Sequence, residues 1–146
     1  MSDTGPSDQY GAGSQIHTFS PRIFLSAIVL GVAIPAHLML PDDISRLTIA
    51  ITIAIIAGAY IGFGANDGRP WIFLTELYIA ALFGVMALLG VIWSPYMFVA
   101  ALFLHGVWDL IHHNGLFGAK VPRWYIPFCV VIDWIAAAGL FILFAL

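Results

Sequence analysis

The stretch Pro70–Trp93, PWIFLTELYIAALFGVMALLGVIW, contains a single charged residue, Glu76. At 1.5 Å per residue, a helix of this length covers the roughly 30 Å hydrocarbon core of a bilayer. It opens on a proline, which suits the first turn of a helix because the missing N–H has no partner there in any case. Four further runs have the same form: Pro21–Leu40, closed by Pro41-Asp42-Asp43; Ile44–Ala65, closed by Asn66-Asp67-Gly68; Pro95–His113; and Pro122–Leu146. Pro21, Pro95 and Pro122 again stand at first-turn positions, whereas Pro35 and Pro127 fall inside runs and are expected to kink them. The composition agrees, with 62% hydrophobic and 9% charged residues and a mean hydropathy of +0.99. A soluble domain has about 45–50% apolar and about 25% charged residues. The expected fold is all-α: a polytopic bundle of five transmembrane helices spanning residues 21–146.

Residues 1–20 are polar, rich in Gly, Ser and Asp, and read as a disordered or surface-lying tail without a signal peptide. His17 lies in this tail and carries no argument. Arg22, Arg69, Lys120 and Arg123 fall on the N-terminal side of the membrane and only Arg46 on the other, which predicts a cytoplasmic N-terminus. Membrane lipid is then the principal partner. A net charge of -3 with five Lys and Arg leaves no basic stripe for nucleic acid. The single Cys129 cannot form an intramolecular disulfide. Gly58-Ala-Tyr-Ile-Gly62, followed by Gly64, gives the second run a small-residue face suited to helix packing.

Of the thirteen charged side chains, ten lie in the tail, in loops or at span ends. Glu76, Asp109 and Asp133 remain inside spans, where each costs about 2.5–3.5 kcal/mol at mid-bilayer unless it neutralises, pairs or coordinates. The fourth run surrounds one of them with histidines: His105-Gly-Val-Trp108-Asp109-Leu-Ile-His112-His113. At about 100° per residue, His112, His105, Asp109 and His113 occupy about a third of the helix circumference. Imidazole nitrogen and carboxylate oxygen are donors for Zn or Fe, so these four are the candidate metal ligands. Counted from the N-terminal side of the membrane, Glu76 lies about 9 Å deep, Asp109 about 6 Å, His105 about 12 Å and Asp133 about 15 Å. Glu76 and Asp133 are therefore candidate general bases or further ligands, Trp108 and Trp134 candidate cavity walls, and Trp108 the candidate cofactor contact. Tyr78 and Tyr125 offer hydroxyls near the same side, and Cys129 shares a face with Asp133 at i, i+4. His37 sits near the opposite surface. The structural alternative for the buried acids is interhelical pairing that fixes helix register; for His112 and His113 it is snorkelling at a span end.

The pattern H-x-x-W-D-x-x-H-H of residues 105–113, with Val121-Pro-Arg-Trp-Tyr125, Cys129 and Asp133 after it, resembles a family of small, functionally uncharacterised bacterial integral membrane proteins. The resemblance covers chiefly the last two spans, implies a multi-pass fold in a bacterial inner membrane and singles out His105, Trp108, Asp109, His112, His113 and Asp133. A fainter likeness is to the alkaline ceramidase and adiponectin-receptor superfamily of membrane hydrolases, which implies zinc bound by histidines of an H-x3-H type with an aspartate. Here Asp109 stands where the second histidine would be.

Three function classes follow. One is a metal-dependent hydrolase or oxidoreductase acting on a lipid-like molecule, with Zn or Fe as cofactor. Another is metal-free acid/base isomerisation or cyclisation of a terpenoid-like molecule by buried carboxylic acids. The third is a non-enzymatic cofactor-binding or structural subunit of an oligomer or larger membrane complex.

Overall fold

The computed structural model describes residues 21–115 and 117–146; the predicted N-terminal tail lies outside them. Five α-helices follow one another: α1 (Pro21–Met39), α2 (Asp42–Asp67), α3 (Pro70–Ile92), α4 (Tyr96–His112) and α5 (Tyr125–Ala145). A short 3-10 turn, His113–Gly115, extends α4. No strand occurs among the described residues. Helix α2, α3 and α5 are each long and apolar enough to cross a membrane. Helix α4, with 17 residues, is shorter than the expected span, and the described apolar part of α1 is Leu30–Met39.

The proline expectations separate. Pro70 opens α3, and Pro95 caps α4. Pro122 lies outside α5, because Pro122-Arg-Trp forms a turn closed by the Tyr125 N–H on the Pro122 carbonyl (2.9 Å). Pro127 therefore becomes the third residue of α5, where no i→i−4 bond exists to be lost, and the expected interior kink has no cause there. Pro35 does lie inside its helix, and α1 runs on through it.

The most extensive pairings are α2 with α3 and α4 with α5. Gly68, left-handed at φ 83°, ends α2 so tightly that α3 begins two residues later. At this hairpin only Gly64 bears out the small-residue face: a Cβ there would stand 3.1 Å from the Phe73 backbone and 3.0 Å from the Glu76 side chain, whereas Gly58 and Gly62 face open space. Ile53, Ala57, Phe83, Ala87, Phe98, Ala101 and Ala137 form an apolar centre. Beside this apolar centre the bundle buries its in-span charged side chains and keeps large apolar ones on its outer surface, a distribution suited to lipid. Glu76, His105, Asp109, His112 and Asp133 are buried, while Ile55, Leu74, Leu88 and Ile142 are exposed.

Candidate metal centre

The buried polar groups gather towards the end where α2 and α4 finish and α3 and α5 begin, and they divide into two clusters on α4. His105, Asp109 and His112 all point inward, as the angular arithmetic predicts. Seven residues nevertheless separate His105 from His112, about 10.5 Å along the axis.

In the deeper cluster, His105 Nδ1 lies 2.7 Å from Asp133 Oδ2 on α5 and 3.9 Å from Asp109 Oδ2 one turn along α4. One ligand atom from each of the three lies within 4.8 Å of the other two. A tetrahedral ion with donors at about 2.0–2.1 Å holds them about 3.3 Å apart, a spacing that these separations bracket. The Tyr60 hydroxyl, from α2, donates to Asp109 Oδ1. No donor reaches Asp109 Oδ2, although it is buried. Buried carboxylate oxygens are nearly always satisfied, so the centre presents an acceptor without a donor beside a second acid and an imidazole; Glu76 Oε2, in the other cluster, is also buried without a donor.

The shallower cluster is arranged differently. His112 Nδ1 donates to the Trp108 carbonyl (2.9 Å), because a carbonyl can only accept. His112 Nε2 then meets Glu76 Oε1 on α3 at 2.8 Å, with one proton shared between them. The Ala119 N–H also donates to that oxygen (2.9 Å). Both ring nitrogens of His112 are thus engaged, and neither is left for an ion.

The loop after the 3-10 turn seals this pair. Gly118 has φ 78°, and a Cβ on it would stand 1.9 Å from His112 Nε2, so the chain passes there only as glycine. Asp67 at the end of α2 binds the Arg69 guanidinium and accepts from the Lys120 N–H (3.1 Å), while Arg69 donates to the Gly118 carbonyl (3.2 Å). The Asp67 hydrogen bond holds the Arg69 pKa above its ordinary value.

Of the predicted ligands, then, His105 and Asp109 come together, and Asp133, expected as a general base or a further ligand, joins them, while His112 lies apart. Glu76 pairs with His112 instead. His113 is half-buried where α4 ends and stands outside both clusters. Trp108 packs on His112, with ring centroids 4.8 Å apart, rather than on the metal-ligand group. Trp134 lies on the outer surface, stacks on Phe103 and donates to its carbonyl (3.2 Å). Tyr78 is exposed, and Tyr125 contacts Cys129. Tyr60 was not among the sequence candidates, yet its ring separates the two clusters, 5.7 Å from the His105 ring and 4.8 Å from that of His112.

A family model, the family of unknown function DUF6010, matches residues 22–145. The chain belongs to this family. The match takes in all five helices and every residue of both clusters, so the DUF6010 assignment agrees with the expected uncharacterised family over far more than the last two spans. No curated protein and no solved structure matches the chain.

Proposed function

We propose that this DUF6010 protein is a five-span integral membrane protein of a bacterial inner membrane, N-terminus cytoplasmic, whose His105, Asp109 and Asp133 bind a divalent metal and act on a lipid-like substrate. The observation that carries the reading is the convergence of His105, Asp109 and Asp133, one ligand atom from each within 4.8 Å of the others, with Asp109 Oδ2 buried and without a donor among them. In an apolar bundle two ionised carboxylates need two positive charges. His105, Asp109 and Asp133 would hold a Zn or Fe dication that would balance these charges and supply Lewis-acid activation of water.

The residues divide the work. His105, Asp109 and Asp133 hold the ion from two helices, which ties α4 to α5. Tyr60 orients Asp109 through Oδ1 and leaves Oδ2 turned to the ion, as an outer partner of a metal ligand does. Glu76 and His112, on the far side of Tyr60, hold one proton next to the centre and close it from the loop. Helix α4 is short for a span, and the 3-10 turn and the loop supply the remaining depth on that side.

A second reading rests on the 2.7 Å contact of His105 with Asp133: a histidine–acid dyad that moves protons without metal. Titration of Co2+ into chelator-stripped protein in detergent separates the two. Visible absorption that saturates with about one ion per chain, and is lost in Asp109→Ala and Asp133→Ala but kept in Glu76→Gln, supports the metal site. No absorption in the wild type refutes it and favours the dyad.

A further inference from the structure

Asp133 faces two ways. Its Oδ2 meets His105, and Asp133 also lines a partly open cavity of about 140 Å³ between α1, α2, α4 and α5. The remaining wall is largely aliphatic, with Leu30 and Ile34 from α1, Ile49 and Ile53 from α2, Leu102 from α4 and Leu140 from α5. Two other polar residues line it. Thr52 already donates its hydroxyl to the Thr48 carbonyl, and His37 already pairs with Ser45 Oγ at 2.9 Å. Asp133 and His37 mark opposite ends. From Asp133 to Leu140, and from Ile49 to Ile56, the lining runs seven residues, so the cavity is about 10 Å long and parallel to the helices.

Size and chemistry restrict the occupant. An aliphatic cavity of about 150 Å³ stays dry and takes benzene; a narrow one of similar volume takes a short hydrocarbon chain and excludes a fused-ring sterol. At its inner end the polar group within reach is an acid of the proposed metal centre. We infer that the cavity binds the alkyl chain of a single-chain amphiphile, its hydroxyl held at Asp133 and its tail extending towards His37. This inference rests on the proposed metal centre only for what happens to the hydroxyl; the chain site itself does not need the ion.

The test uses the full-length protein in detergent and octan-1-ol carrying a diazirine on its terminal carbon. On irradiation, adducts are expected on the peptides holding Ile34–His37 and Ile49–Ile53. By mass action, unlabelled octan-1-ol at about ten times its Kd is expected to reduce them about tenfold, with n-octane much weaker. Ala136→Trp and, independently, Ala33→Phe fill the cavity and abolish these adducts, whereas Leu77→Trp on the outer face leaves them. Labelling that ignores both filling variants, or that centres on Ile132–Asp133, overturns the inference. Zinc content measured on the same samples keeps the two readings apart. Competable labelling of metal-free protein supports the chain site while the metal reading fails, and bound zinc with labelling that ignores the filling variants refutes the chain site alone.

Discussion

His105 with Asp133 and His112 with Glu76 are both imidazole–carboxylate contacts between helices, 2.7 and 2.8 Å long, buried in the same bundle. They differ in what surrounds them. The shallower pair is closed by backbone: the Trp108 carbonyl takes the second ring nitrogen, the Ala119 N–H reaches the same glutamate oxygen, and Gly118 passes too close for any other residue. Each pair keeps one buried carboxylate oxygen without a donor, Glu76 Oε2 in the shallower and Asp109 Oδ2 in the deeper, but only the deeper pair has a second acid, Asp109, converging on it with His105 and Asp133. Identical side-chain chemistry therefore holds the end of the bundle together in one place and gathers three residues that could hold a metal ion in the other.

Substitutions at the closed pair give the largest expected losses of stability. His112→Ala leaves Glu76 buried without its proton partner, and breaking such a pair costs about 3–5 kcal/mol. Thermal unfolding in detergent should show a large drop, while the metal affinity of the fraction that stays folded holds. Gly118→Ala follows. It combines a left-handed backbone with a clash on His112, and about 3 kcal/mol is expected from strain and displacement together. Gly115→Ala is its control. That residue has φ 70° but open space around it, so only the backbone term of about 1 kcal/mol should appear. Equal losses at Gly115 and Gly118 would mean that the loop does not press on His112.

Much of this contrast was legible beforehand, and the part that was not has a physical reason. The apolar runs announced the helices, and the 100° rotation per residue placed His105, Asp109 and His112 on one inward face. Rotation carries no information on which neighbouring helix fills the space at each depth, so His112 was grouped with His105 although a helical rise separates them and each takes its acid from a different helix. Asp133 enters the ligand group for the same reason. Tyr60 was visible only as one hydroxyl in a span otherwise read for its glycines. The role of Gly118 depends on a left-handed turn that a single glycine in a loop does not announce.

Asp67→Asn gives the smallest effect. It loosens the clasp of Arg69 and Lys120 on the loop at the surface, so limited proteolysis between residues 113 and 124 should quicken with metal binding unchanged. Concurrent loss of metal would show that the two clusters are not separate.

The central claim, that an ion belongs to His105, Asp109 and Asp133 and not to His112 and Glu76, is tested most directly by elemental mass spectrometry of protein purified in detergent. The wild type and Glu76→Gln should carry about one Zn or Fe per chain, and Asp109→Ala should carry none. A wild type without bound metal, or metal retained by Asp109→Ala and lost by Glu76→Gln, would contradict it.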